Sequence, residues 1–227
     1  MIILSIDTSQ AASVALVDTD SGTVLAAEQA DDQRRHVEFI GPALASVLAH
    51  SVQPELVVTG IGPGPFTGLR VGIAAGIAVG QARGIPVKGL LSQAALAEEL
   101  RRSDARGTGP VLIAADARRK EVYFSVYDSS EASLQAGPFV AKPTEVDDVL
   151  SAAGQTAISA RLGRGFLLYP EVLGRSSVPT IVDPRAEYLA FAAAREIAAG
   201  RELVEPVPEY LREPDAKATP VRESTLK

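Results

Sequence analysis

The chain is expected to fold as two α/β lobes that face each other across a cleft. Three observations predict this. An order of elements (strand, aspartate, turn, strand, turn, strand, helix, strand, glycine loop) runs from Ile2 to Gly64 and recurs from Val111 to Gly165. A joint rich in glycine and proline, Ser103–Pro110, separates the two runs. The chain has 227 residues and is 46% hydrophobic, enough for one large domain or two small lobes. The halves share element order and the placing of Asp and Gly, with almost no sequence identity. The expected boundaries are 1–104 for the first lobe, 105–211 for the second and 212–227 for a charged, proline-bearing tail.

In the first run, Ile2–Ile6 is a short β-branched apolar segment ending at Asp7, which predicts a buried strand. Ser13–Asp18 and Thr23–Glu28 read as strands around the turn Thr19-Asp20-Ser21-Gly22. From Gln33 to His50 the spacing is helical, with Val37, Ile40, Leu44, Val47 and Leu48 on one face, and Pro42 should kink this helix or mark a late start. Leu56–Thr59 is an apolar strand that leads into a glycine loop.

The stretch Gly60–Ala82 is the most unusual in the chain. Gly60, Gly62 and Gly64 open it, and Gly68, Gly72, Gly76 and Gly80 follow at intervals of four. Thr67 is the expected N-cap. Each glycine inside a helix costs about 0.8–1 kcal/mol relative to alanine. A ridge of them therefore needs a reason, and a bare ridge lets another backbone come close. A membrane helix is disfavoured by Arg70, Gln81 and the short run. A phosphate loop lacks its Gly-Lys-Ser/Thr, and Pro63 and Pro65 remove two N–H donors. Close packing remains, either within this chain or against another subunit. Gly84-Ile85-Pro86 then ends the helix, Val87–Leu90 returns as a strand, and Ser92 is placed to cap a helix reaching Arg102.

In the second run, Val111–Ala115 is an apolar strand ending at Asp116, Ala117–Lys120 is a polar turn, and Glu121–Tyr127 alternates as a strand. Leu134–Val140 is strand-like, Pro143–Ala153 helical, and Thr156–Ala160 a short strand before Gly163 and Gly165. Pro184–Ala199 is a helix stopped by Gly200, and it is a candidate to pack back on the first lobe.

Composition narrows the chemistry. There is no cysteine, which excludes disulfides, thiolate catalysis and cysteine-ligated zinc. The N-terminus has no basic region preceding an apolar core and no span is long enough for a bilayer, so a cytoplasmic protein is expected. A net charge of −6 argues against broad nucleic-acid binding by this chain alone. The basic groups Arg34-Arg35-His36, Arg118-Arg119-Lys120 and Arg161 to Arg164 read as solvated loops. His36 and His50 are the only histidines, and their spacing does not make a metal pair on one helix. Asp7 and Asp116 each close the first strand of a lobe. Each could hold a metal–phosphate complex in the cleft or cap its own turn through backbone N–H groups. No residue is assigned a catalytic role and no metal ligand is assigned.

Several stretches together resemble the TsaB (YeaZ) family: ILSIDTS at 3–9, RRHVEFIGPAL at 34–44, GIGPGPFTGLRVGIAAGIAVGQARGIPV at 60–87, DARRKEVY at 116–123 and PEYLR at 208–212. The resemblance implies the two-lobed actin/sugar-kinase/Hsp70-like fold, ribonuclease H-like in each half, built by duplication of a βββαβα unit. It implies a non-catalytic partner of the transferase TsaD in making threonylcarbamoyladenosine in tRNA. TsaD-type chains carry a His-x-x-x-His metal pair just after the strand that follows the glycine helix, where this chain has Lys88 to Gln93 without histidine. Metal and ATP would be handled by partner subunits, TsaD and the ATPase TsaE, and tRNA would be met only through the complex. A homodimer is implied when TsaD is absent. The resemblance also shifts the glycine ridge toward a subunit interface, made by Val37, Ile40, Leu44, Leu69, Gly72, Ile73, Gly76 and Val79. A kinase of the same fold using Asp7 and Asp116, a stand-alone homodimeric binding module, and a peptidase, which the absence of metal ligands and of an activated nucleophile argues against, are the alternatives.

Overall fold

The computed structural model describes residues 1–30, 36–105 and 107–212. Arg34, Arg35 and the tail beyond Arg212 lie outside the described residues. The first lobe is built from β1 (Ile2–Asp7), β2 (Ser13–Asp18), β3 (Thr23–Gln29), α1 (His36–Leu48), β4 (Leu56–Gly60), α2 (Phe66–Arg83), β5 (Val87–Leu90) and α3 (Gln93–Arg102). Its five-stranded sheet has the order β3-β2-β1-β4-β5. The hairpin pairs are antiparallel, and β4 lies parallel to both β1 and β5.

Successive side chains of a strand point to opposite faces, and both faces of this sheet are covered. Leu4, Ile6, Val14, Leu16 and Val57 pack beneath α1 and α2. Ile3, Ala15, Val17 and Val58 pack on the other side against Ala95 of α3 and against α7 (Ala186–Ala198), through Leu189, Ala190 and Phe191. Burial on both sides is why β1 and β4 read as unbroken apolar runs.

The second lobe has β6 (Pro110–Asp116), β7 (Val122–Asp128), β8 (Leu134–Ala141), α4 (Val146–Ala152), β9 (Ala160–Leu162), α5 (Arg164–Leu168) and α6 (Pro170–Leu173). Its sheet has four strands in the order β8-β7-β6-β9. Helix α3 is the layer shared by the lobes, because Leu96, Ala97 and Leu100 pack against Val111, Ile113, Tyr127 and Leu162. The chain is therefore a two-lobed α/β molecule, as its sequence predicts, with a smaller second sheet.

Several local expectations need correction. Thr67 is not the cap of α2: the helix begins at Phe66 after extended Pro65, with no side-chain cap. Ser92 precedes α3 without capping it, and its Oγ instead accepts from Gly62 N–H at 3.1 Å. The α1 helix runs through Pro42, forgoing one backbone hydrogen bond. The short second-lobe strand is Ala160–Leu162 rather than Thr156–Ala160. The N-terminus of α7 is capped from far along the chain, where Ala186 N–H donates to Ser13 Oγ at 2.6 Å.

Candidate functional site

The end of β1 turns sharply against the glycine loop. Asp7 is fully buried. Its Oδ1 accepts from Ser9 N–H at 2.8 Å and from Ser9 Oγ at 2.7 Å, an Asx-type turn. Its Oδ2 is enclosed without a hydrogen bond of good geometry. Gly60 makes this possible, since a Cβ there would lie 1.8 Å from Asp7 Oδ2 and 2.7 Å from Ser92 Oγ. Burial pushes the Asp7 carboxyl above the usual carboxylate range. The neighbouring Ser92 and Ser9 groups oppose the shift, and the negative charge of Asp183 adds to it.

The next residue explains the glycine ridge. Thr8 Oγ1 donates to Gly68 O at 2.7 Å and accepts from Gly72 N–H at 3.1 Å. The hydroxyl is thus inserted into the hydrogen-bond ladder of α2 itself. A Cβ on Gly72 would stand 2.3 Å from that oxygen, one on Gly68 2.7 Å from Thr8 O, one on Gly76 2.4 Å from Thr59 Cγ2 and one on Gly80 2.1 Å from Val87 Cγ2. All four glycines face this chain's own sheet. The assignment of Gly72 and Gly76 to a subunit interface is therefore overturned. Leu69 and Ile73 leave it as well, because they are buried in a cluster with Ile61. Ile40, on the inner face of α1, is buried too, against the sheet.

What α1 and α2 turn outward is a different surface. Val37 is 71% exposed, Leu44 and Val79 are half-buried, and Gly41, Ala45, Ala74 and Ala78 are exposed. Gly41 is unlike the α2 glycines, since a Cβ on it would meet nothing within 4 Å among the described residues. The described residues of its own chain offer no packing reason for a glycine inside this helix.

In the second lobe, Asp116 Oδ1 accepts from Arg118 N–H at 2.7 Å, and Arg118 Nη1 lies 3.0 Å from Oδ2. Arg118, Arg119 and Lys120 all have positive φ, near 58°, 53° and 60°. This tight left-handed turn is a conformation that non-glycine residues adopt at a cost. Arg164 is no solvated loop residue. Its guanidinium makes a two-pronged pair with Asp183, one contact being Nε to Oδ1 at 2.8 Å. Gln10 Nε2 crosses between lobes to Asp116 O at 3.1 Å, and His36 Nε2 contacts Gln10 O at 2.6 Å. The cleft ends of both lobes are thus filled by this chain's own groups. Gly64 packs on Ser9, and Gly163 on the carbonyl of Ala114, where a Cβ would lie 2.4 Å from the oxygen. Asp7 and Asp116 both accept hydrogen bonds within their own turns. Among the described residues no group of three His, Asp or Glu could hold a metal ion.

The family model for "TsaD: tRNA N6-adenosine threonylcarbamoyltransferase" matches residues 24–219. The Escherichia coli tRNA threonylcarbamoyladenosine biosynthesis protein TsaB is 34% identical over 229 residues, covering 93% of this chain and 95% of that protein. The chain belongs to the TsaB (YeaZ) family. The solved YeaZ from Pseudomonas aeruginosa superposes with a TM-score of 0.71 at 29% identity, over 92% of this chain and 99% of that one. An uncharacterised Mycobacterium leprae protein is 37% identical over 95% of this chain, which spans only 56% of that relative's length.

Three of the stretches that carry the TsaB resemblance meet in space. After α7 the chain forms a strap. Val204 exchanges backbone hydrogen bonds with Gly89 at 2.7 and 3.2 Å, and Glu209 N–H donates to Ile61 O at 2.8 Å. Tyr210 then stacks on Phe66 with ring centroids 3.9 Å apart, and Arg70 Nε donates to its hydroxyl at 2.8 Å. Arg212 Nη2 donates to Ala117 O at 2.6 Å, and Nη1 lies 3.0 Å from Glu121. The strap thereby joins the start of α2 to the first hairpin of the second lobe. Spacing along the sequence carried no signal for this, since the Arg212–Ala117 and Arg70–Tyr210 partners, for example, are 95 and 140 residues apart.

Proposed function

We propose that this chain is the non-catalytic subunit that binds and activates a TsaD-type transferase. The assembly transfers a threonylcarbamoyl group to N6 of the adenosine beside the anticodon, in tRNAs that read codons beginning with A. The reading rests on family membership and on one observation, the outward face of α1 and α2. Exposed Val37, unexplained Gly41 and a run of exposed alanines form a shallow apolar seam suited to a helix pair from another chain. The interface is redrawn accordingly: Val37, Leu44 and Val79 stay in it, and Gly41, Ala45, Ala74 and Ala78 join them.

In this reading the partner supplies the metal and the transferase site, a TsaE-type ATPase docks on the pair, and tRNA is engaged only by the assembly, in the cytoplasm. The same seam pairs two copies when the transferase is missing. The filled cleft supports a binding role over an ATP-dependent kinase.

The test is co-purification with the TsaD-type protein of the same organism, combined with a tRNA modification assay. Gly41→Leu is expected to leave the melting temperature unchanged or higher and to weaken the complex at least tenfold, with modification falling in step. Wild-type binding by Gly41→Leu would move the interface elsewhere. Full modification by the transferase without this chain would sink the reading.

A further inference from the structure

A second surface is not used by that function. Between the strap and the second lobe lies an open groove of about 660 Å³. Its floor includes Leu90 and the ring of Tyr127, and its walls carry Leu134, Val204 and Val207. Those three wall residues are 42%, 53% and 63% exposed and line one groove together, and clustered apolar exposure of this kind marks interaction sites. No α1 or α2 residue lines the groove, so it can be filled while the seam is occupied.

The rim fixes what fits. Glu196, Glu202, Glu205 and Glu209 line it, against Arg201. Glu196 is paired with Arg195 and Arg201, and Glu205 with Lys88. The Glu202 and Glu209 carboxylates have no partner among the described residues, so the uncompensated charge that those residues place at the rim is negative. An anionic occupant, whether nucleic acid or an acidic lipid surface, is repelled there. A second copy of this chain also carries net charge −6, which opposes its approach to an acidic rim.

We propose that this groove seats a cationic amphipathic segment of a partner protein. Its apolar side would lie on Leu134, Val204 and Val207, and its lysine or arginine side chains would meet Glu202 and Glu209. Opposite charge around an apolar floor gives such a site both its orientation and its choice of partner.

The experiment uses the full chain and two synthetic helix-forming peptides. One carries leucine and lysine in amphipathic order, and the other has every lysine replaced by glutamate. Fluorescence anisotropy measures affinity, and hydrogen exchange locates the contact. The lysine peptide is expected to bind one to one, to protect residues 133–138 and 201–209, and to weaken as salt is raised. The glutamate peptide is expected not to bind. The double substitution Glu202→Lys and Glu209→Lys, on an exposed and a half-buried side chain, should keep the melting temperature and lower affinity roughly tenfold or more. Val207→Asp should do the same by spoiling the apolar wall. Absence of binding, equal binding of both peptides, protection elsewhere or unchanged affinity in the variants would each overturn the proposal. Self-association that Val207→Asp abolishes would overturn it in favour of a second copy.

Discussion

Asp7 and Thr8 are adjacent residues whose behaviour depends on surroundings their sequence neighbours do not supply. Asp7 sits at 0% exposure, and its raised pKa has a consequence for stability. A carboxyl whose folded pKa exceeds its unfolded value binds more protons when folded. It therefore favours folding most below the unfolded value, and that favour is lost as pH rises toward the folded pKa. Asp7→Asn removes the titration. The variant is expected to gain melting temperature relative to the parent as pH goes from about 4 to 8, the difference being smallest at the acid end. Thermal unfolding across that range checks it, and a difference that shrinks with rising pH would contradict the assignment. Thr8 could be read from sequence only as a turn residue. Its role as a hydroxyl spliced into a helix ladder needs α2 to lie across the end of β1.

Among the elements, α1 and α2 carry glycines of opposite meaning. Gly76 lacks a side chain because Thr59 of β4 occupies the space. Gly76→Ala gains intrinsic helix propensity but forces a methyl into a packed layer, and overpacking of this kind costs about 1–3 kcal/mol. The expected net effect is a loss of up to about 2 kcal/mol in denaturant unfolding. Gly41→Ala meets nothing and should gain about 1 kcal/mol. If both substitutions shift stability in the same direction, this division of the glycines fails. The four-residue spacing was legible in the sequence and correctly implied close backbone approach. Which backbone approached was not legible, because spacing describes one helix and says nothing of its neighbour. Strands β1, β2, β4 and β6 were legible from their apolar runs. Strand β9, with three residues, and α5 and α6, with five and four, are too short to show a period.

At the scale of the whole molecule, the lobes are held by α3, by the Gln10–Asp116 contact and by the strap. Tyr210 is the strap's anchor, and stacked aromatic pairs contribute about 0.5–1.5 kcal/mol beyond their buried area. Tyr210→Ala is expected to leave the global unfolding transition nearly in place. It should speed amide exchange at Val204 and Glu209, whose N–H groups bond Gly89 and Ile61. Unchanged exchange at those two amides would mean that the strap is held by something other than the Phe66–Tyr210 stack.

By itself the sequence determined the two-lobed α/β plan, the family, and that the glycine helix must lie against another backbone. Periodicity, glycine spacing and motif content are local properties, and these conclusions need nothing more. Only the tertiary structure decided that the glycine helix lies on the chain's own first sheet and the turn after β1, that both cleft aspartates serve their turns, and that an acidic apolar groove opens behind the strap. Each of those depends on distances between residues far apart in the chain, and such distances exist only once the lobes have packed.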